Sequence, residues 1–219
     1  MRRPLLALLI CAVVAAAHAG PVQVVPSADP DVAAGWAAYA AADHARAIEY
    51  YRKAAARNER VAQFNLAVML FAGEGGPVDP VAALDWLRRS ADLDFAPAQF
   101  ALALLYEHGE HVKRSQPDAT AWFRRAAEQG HRGAQVSLAT QYFLGRGATL
   151  DYREAARWYE RAAEQGDEGS AYILASMYEK GDGVPLDLLR AFYWYSRAAA
   201  GGDPAARIKA REVQERMSR

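Results

Sequence analysis

Residues 122–130 read WFRRAAEQG and residues 158–166 read WYERAAEQG, so the chain carries nearly the same nonapeptide twice, 36 residues apart. A catalytic site needs its special residues only once. A string repeated at a fixed interval is instead typical of a structural unit that stacks against copies of itself. We therefore interpret the nonapeptide as part of a helix that cannot bury its apolar side alone and needs a neighbouring copy.

The 36-residue period extends through four columns of identical residues. The columns are Trp86, Trp122, Trp158 and Trp194; Ala83, Ala119, Ala155 and Ala191; Leu66, Leu102, Leu138 and Leu174; and Gly73, Gly109, Gly145 and Gly181. Around these columns apolar residues recur with the spacing of one helix face, as at Ala98, Leu102 and Tyr106. The pattern predicts an all-α fold: a right-handed α/α solenoid of helical hairpins with about five repeats and a C-terminal capping helix.

The glycine column predicts where the first helix of each hairpin ends, because glycine takes the left-handed conformation that closes a helix. Each second helix is then predicted to begin after a side-chain acceptor, which satisfies free amides of the first turn. The acceptors are Asp79, Ser115, Asp151 and Asp187. The third repeat departs from the pattern, with His111 at the second glycine position and Ser115 in place of aspartate.

The repeat also sets the predicted domain boundaries. We assign residues 31–202 to the repeat domain, residues 203–219 to a capping helix and residues 20–30 to a disordered N-terminal segment. The predicted repeats are 31–60, 61–94, 95–130, 131–166 and 167–202.

Residues 1–19 have the three parts of a secretory signal peptide: Arg2 and Arg3, an apolar run, and the small-x-small ending before Gly20. The apolar run is too short to span a membrane, and no second run approaches that length. We therefore expect a periplasmic or secreted protein. Cleavage after Ala19 removes the single cysteine and leaves 24 basic against 26 acidic residues. This near-neutral charge disfavours nucleic-acid binding, which requires a basic face.

The repeat resembles the Sel-one-like repeat family, a relative of the tetratricopeptide repeat. The fifth repeat carries the fullest match: Ser170, Leu174, Tyr178, Gly181, Gly183, Val184, Asp187, Ala191, Trp194, Ala198 and Ala199. The resemblance implies a non-enzymatic adaptor that binds a protein or peptide in the cell envelope. Exported bacterial members of the family commonly act as scaffolds or regulators there.

The first helices of successive hairpins are expected to line the concave surface of such a solenoid. Positions on them that vary between repeats are then free for recognition, in the manner of a helix in a groove. These candidate partner-binding residues are Phe64, Val68, Phe71, Phe100, Leu104, Glu107, Val136, Thr140, Phe143, Tyr172, Ser176 and Glu179. Their aromatic and apolar members fit packing between repeats equally well.

The sequence offers little support for a metal site, a nucleotide site or a catalytic site. His108 and His111 with Glu107 and Glu110 are a weak candidate for a metal site, because such residues are common in polar loops. The Gly-x-Gly turns follow helices, so they are not phosphate-binding loops. We expect no catalytic residue, metal or cofactor. Two alternatives stay open: a glycan-binding module on the aromatic residues, and a hydrolase of cell-wall or β-lactam material. The second is described for cysteine-rich relatives whose cysteine pairs are absent after residue 19.

Overall fold

A computed structural model describes Ser27 and residues 29–218. The predicted signal peptide, residues 1–19, and residues 20–26 lie outside the described residues. The chain divides into two compact units, of which the first ends at Gln129 and the second begins at Gly130.

Helices account for the regular structure of both units, and the described residues contain no strand. In the first unit they are α1 (Pro30–Ala40), α2 (His44–Ala55), α3 (Arg60–Ala72), α4 (Pro80–Asp92), α5 (Ala96–His108) and α6 (Gln116–Glu128). In the second they are α7 (Arg132–Leu144), α8 (Tyr152–Glu164), α9 (Glu168–Lys180), α10 (Leu188–Ala200) and α11 (Pro204–Met217). Consecutive helices within each unit pack against one another as repeated hairpins. The predicted all-α hairpin fold is confirmed.

The turns within the hairpins have the predicted caps. The glycine that follows each of α3, α5, α7 and α9 is left-handed, with φ between 64° and 80°. The side chains of Asp79, Ser115, Asp151 and Asp187 accept hydrogen bonds from amides in the first turn of the next helix. His111 has φ +57°, close to the +78° of Gly75 and the +71° of Gly183. The irregular third repeat therefore keeps the backbone conformation of the others.

The core consists of the predicted small and apolar columns. The alanine and leucine columns are buried throughout. Alanine at the hairpin contact lets two helices approach closely, so neighbouring side chains interdigitate at the density of a protein interior. A further 36-residue column of large side chains lies between the paired helices: Tyr51, Leu87, Phe123, Tyr159 and Tyr195, all nearly inaccessible to solvent.

The last helix continues the repeat register. It begins 36 residues after α9 and buries Ala206, Ala210 and Val213, which correspond to Ser170, Leu174 and Met177 in α9. Helix α11 thus packs on α10 as the first helix of a further repeat would.

The Gln of the repeated nonapeptide has a structural role that the sequence pattern did not reveal. Gln165 Nε2 donates to Oε1 of buried Gln135 at 2.7 Å. Gln129 Nε2 donates in the same way to Oε1 of buried Gln99 at 2.7 Å. One repeat earlier, Leu93 occupies the donor position, and Oε1 of buried Gln63 has no hydrogen-bond partner among the described residues.

We expect Gln165→Ala to lower the free energy of unfolding by about 1–3 kcal/mol, because Gln135 Oε1 would remain buried without its donor. We expect Leu93→Gln to raise it by about 1 kcal/mol, because the new amide would reach Gln63 Oε1. Urea unfolding followed by circular dichroism measures both changes. Leu93→Asn is the control, since its amide is one methylene shorter. Equal urea midpoints for Leu93→Gln and Leu93→Asn would contradict the assigned pairing.

An ionic cluster ties α1 to the end of α2. Arg57 contacts the carboxylates of Asp29 and Asp31 at 2.6 and 2.8 Å, and Lys53 contacts Asp31 at 3.2 Å. Asp29 also caps α1 by accepting from the Asp31 amide, and Ser27 donates to Glu59. The described end of the segment predicted to be disordered, Ser27 with Asp29 and Pro30, is therefore attached to the first hairpin.

Hydrogen bonds from Arg57 hold the pKa values of Asp29 and Asp31 below their usual 3.8. A lowered pKa means that the folded hairpin favours the charged carboxylates. The stabilisation is therefore present at neutral pH and is lost as the pH falls below the usual Asp value. We expect NMR titration of the two carboxyl groups to show lowered pKa values that move up in Arg57→Gln. Values that are the same in both proteins would contradict the cluster's role.

Candidate functional site

The twelve candidate partner-binding residues lie on the first helices of four hairpins. Phe64, Val68 and Phe71 are on α3, and Phe100, Leu104 and Glu107 are on α5, all in the first unit. Val136, Thr140 and Phe143 are on α7, and Tyr172, Ser176 and Glu179 are on α9, in the second unit.

In the first unit these side chains are largely enclosed. Phe64 is 4% exposed and meets the Phe95 ring edge-on at 5.5 Å. Phe100 is 8% exposed and lies 5.7 Å from the Phe123 ring. Leu104 is also buried, while Val68 is half-buried and packs against the core. Because both aromatic rings are packed inside the unit, they stabilise the fold, and their role in partner binding stays a prediction.

The remaining two positions of the first unit lie against the turn between α5 and α6. The buried Phe71 ring is 5.3 Å from the His111 ring. The backbone carbonyl of Glu107, at the end of α5, accepts hydrogen bonds from Arg114 Nε at 3.0 Å and Gln116 Nε2 at 3.2 Å. The turn is thus held over the end of the helix by side-chain donors of its own sequence.

In the second unit the candidate residues of α7 remain half-exposed. The Thr140 hydroxyl donates to the Val136 carbonyl at 2.8 Å and shares a hydrogen bond with the Tyr159 hydroxyl at 3.0 Å. Phe143 meets Tyr159 edge-on at 6.3 Å and Tyr152 at 5.2 Å. The Thr140 and Phe143 side chains are therefore held by neighbours within the unit, Tyr159 and Tyr152.

The candidate residues of α9 are held in the same way by Tyr195 of α10. The Tyr172 ring stands edge-on to Tyr195 at 5.2 Å. The Tyr195 hydroxyl donates to Glu179 at 2.9 Å and also interacts with the Ser176 hydroxyl. Arg216 of α11 pairs with the other carboxylate oxygen of Glu179. Glu179 is therefore already paired inside the unit, whereas Tyr172 and Ser176 remain half-exposed.

The hydrogen bonds of the buried tyrosines below these positions, Tyr159 and Tyr195, were not predicted from the sequence. Burial raises the pKa of Tyr159, and burial together with the Glu179 carboxylate raises the pKa of Tyr195. In the first unit burial raises the pKa of Tyr51 to about 12. Their phenols thus stay protonated and available as donors. The available signal was the column itself, in which Tyr51, Tyr159 and Tyr195 carry a hydroxyl whereas Leu87 and Phe123 do not.

The tryptophan column is covered by a second column that the sequence analysis did not identify. An arginine three residues later lies over each ring, with the guanidinium carbon 4.6 to 5.6 Å from the ring centre. The pairs are Trp86 with Arg89, Trp122 with Arg125, Trp158 with Arg161 and Trp194 with Arg197. The guanidinium group lies over one face of each of these four rings, in the geometry of a cation–π contact.

The His and Glu residues suggested as a metal site lie at the end of α5 and in the turn that follows it. His108 Nε2 is 4.0 Å from Glu107, and His111 packs on Phe71. No three His, Cys, Asp or Glu side chains of the described residues converge as metal ligands would. In that same part of the chain, no helix has both the length and the apolar character needed to cross a membrane.

The hairpin geometry matches that of a known repeat family. The Sel1 repeat profile matches residues 35–59, 60–95, 96–131, 133–167 and 169–203. The chain belongs to the Sel1 repeat family. Proteins with Sel1 repeats are generally protein-interaction scaffolds, and the fold is typically non-catalytic.

Solved Sel1 repeat structures share this architecture. A Sel1 repeat protein from Oxalobacter formigenes is 31% identical with a TM-score of 0.77, over 82% of this chain and 74% of that protein. The c5321 protective antigen of uropathogenic Escherichia coli is 34% identical with a TM-score of 0.67, over 73% of this chain. The alignment spans 34% of the antigen's own length. No curated protein sequence matches the chain significantly.

Proposed function

We propose that this Sel1 repeat protein is a non-enzymatic scaffold or regulator of the bacterial cell envelope that binds a partner protein or peptide through its first helices. The observation that carries the proposal is the half-exposed set of Val136, Thr140, Tyr172 and Ser176. Of these, Thr140 is held by Tyr159, and Tyr172 and Ser176 are held by Tyr195. Aromatic and hydroxyl side chains fixed in place lose little conformational entropy on binding, which favours affinity.

At the repeat position that Phe64, Phe100, Val136 and Tyr172 share, burial favours the second unit over the first for this role. Phe64 and Phe100 have little surface left to offer, whereas Val136 and Tyr172 at the same repeat position are half-exposed. Helix α8 packs against both α7 and α9, so the buried face of one helix supports both contributing helices. A partner that contacts α7 and α9 would bury apolar and hydroxyl groups together, as protein interfaces commonly do.

The proposed compartment rests on residues 1–19 and is tested separately. Expression of the full chain in a Gram-negative host, followed by N-terminal sequencing of the periplasmic fraction, is expected to give a protein that begins at Gly20. Deletion of residues 2–19 should retain the protein in the cytoplasm. Recovery of the full-length chain from the cytoplasm alone would overturn the envelope location.

The partner-binding surface is tested by crosslinked capture from envelope extract of the organism that encodes the chain. The test variant is Val136→Glu with Tyr172→Glu, since both sites are half-exposed and should accept a charge without unfolding. The matched control is Leu189→Glu with Tyr193→Glu on α10, where the side chains are 72% and 50% exposed. Circular dichroism must show native helix content in both variants before capture.

We expect a protein captured by the wild type and the α10 control to be lost with the α7 and α9 variant. Loss of one or two interface anchors commonly costs about 2 kcal/mol or more, which is roughly thirtyfold in affinity. Equal capture by all three proteins would place binding elsewhere. Loss with the α10 control alone would overturn the choice of helix face.

A further inference from the structure

A cavity of about 700 Å³ opens in the first unit, whereas the helices α7 and α9 of the proposed partner surface belong to the second unit. Its walls come from α4, from the end of α5, and from the turn and first residues of α6. Arg88, Lys113 and Arg114 line the cavity together with a single carboxylate, that of Asp118. Tyr106 and Val112 contribute apolar wall. The cavity is therefore predominantly cationic, with an apolar side.

Most of the donors on these cationic side chains have no partner in the fold. Among the described residues, no hydrogen bond or ion pair engages the side chains of Arg88 and Lys113. Arg114 donates through Nε to the Glu107 carbonyl at 3.0 Å, which leaves its two terminal nitrogens for a ligand. An Arg held by one nitrogen and free at the other two is oriented for paired hydrogen bonds to a carboxylate or phosphate.

The other repeats show that the basic pair is not required to build the turn. Lys113 stands where the other repeats have Pro77, Thr149 and Pro185. Arg114 stands where they have Val78, Leu150 and Leu186. The backbone is nevertheless the same, since His111 adopts the left-handed conformation of the equivalent glycines. The third repeat thus differs from its copies in the charge of this turn and not in its shape.

We propose that this cavity binds an acidic segment of a partner polypeptide, with aspartate or glutamate carboxylates on Arg88, Lys113 and Arg114. The volume exceeds what a single small anion fills, and the Tyr106 and Val112 walls suit an apolar side chain beside the acidic ones. An oriented guanidinium group can donate two parallel hydrogen bonds to a planar carboxylate. The inference rests on the proposed scaffold function and names the chemistry of a partner at a second surface.

The test measures binding of a fluorescein-labelled peptide, Asp-Leu-Asp-Glu-Leu-Glu with a glycine at each end, by fluorescence anisotropy at 50 and 200 mM NaCl. The peptide with Asn and Gln in place of Asp and Glu shows whether the carboxylates are needed. The cavity variant is Arg88→Glu with Lys113→Glu, both exposed and unpaired. The matched control, Arg153→Glu with Arg211→Glu, makes the same change in net charge on exposed sites of the second unit.

We expect the acidic peptide to bind the wild type and the control alike. We expect the cavity variant to bind the acidic peptide about tenfold or more weakly than the wild type does. We expect a similar loss when the wild type is given the amide peptide, and when the salt concentration is raised to 200 mM. No binding of the acidic peptide to the wild type at 1 mM, or equal weakening in both variants, would overturn the proposal. Full displacement of the peptide by micromolar tripolyphosphate, with direct binding of that anion, would overturn it in favour of a phosphate ligand.

The two proposals fail separately. Peptide binding that survives Val136→Glu with Tyr172→Glu, combined with unchanged envelope capture by that variant, would overturn the α7 and α9 surface and retain the cavity. Loss of envelope capture with that variant, combined with no peptide binding to the wild type, would overturn the cavity and retain the scaffold surface.

Discussion

We expect Gly183→Ala to be among the most destabilising single substitutions in the second unit, lowering its free energy of unfolding by about 2–5 kcal/mol. Gly183 has φ +71°, which costs an L-residue about 1–2 kcal/mol. A Cβ built on Gly183 would also lie 2.5 Å from both the Cβ and the carbonyl oxygen of Tyr152. Tyr152 begins α8, so backbone would have to shift, which adds about 1–3 kcal/mol.

Gly166→Ala separates the two causes. Gly166 has φ +85°, but a Cβ there would meet nothing within 4 Å. We therefore expect the free energy of unfolding of this variant to fall only by the cost of the left-handed conformation, about 1–2 kcal/mol. Urea unfolding of both variants, followed by circular dichroism, measures the difference. If the two variants unfold at the same urea concentration, the close approach of the Gly183 turn to α8 is wrong.

The second large effect is expected for Phe123→Ala in α6. The ring is fully buried and lies 5.7 Å from Phe100. Its removal forfeits the transfer free energy of the side chain and leaves a cavity that the surrounding helices fill only in part. We expect a loss of about 3–5 kcal/mol in the free energy of unfolding of the first unit. Phe100 should also become more accessible, because the ring it packs against would be absent.

The chain supplies its own control for Phe123. Leu87 occupies the same position one repeat earlier and is buried there, so Phe123→Leu retains an apolar side chain that this register accepts. We expect it to cost under about 1.5 kcal/mol. Urea unfolding measures both variants. A Phe123→Ala protein as stable as Phe123→Leu would show that the ring does not fill the space between α5 and α6.

Much of the fold followed from the repeat alone. The Trp, Ala, Leu and Gly columns predicted the helical hairpins, and the glycine and aspartate columns predicted where helices end and begin. These features depend on interactions between residues near in sequence, such as a helix cap, or on a contact that every repeat makes in the same way. A periodic sequence records both kinds directly.

The candidate site followed less completely, because exposure depends on what lies opposite each position. Phe64 and Val136 stand at the same repeat position, yet Phe64 is buried against Phe95 while Val136 is half-exposed. In the same way, the 36-residue period relates Tyr159 to Tyr195, and both are buried. It did not show that their hydroxyls reach Thr140 and Glu179.

The sequence by itself determined the family, the hairpin architecture and the positions of the caps, because each depends on local or repeated interactions. Only the tertiary structure decided which of the twelve candidate residues keep an exposed face. It also decided that Gln165 pairs with Gln135 across 30 residues and that Arg88 meets Lys113 and Arg114 at one cavity. These contacts join side chains from different helices and turns, and their chemistry varies from repeat to repeat, so the period that predicts the fold does not predict them.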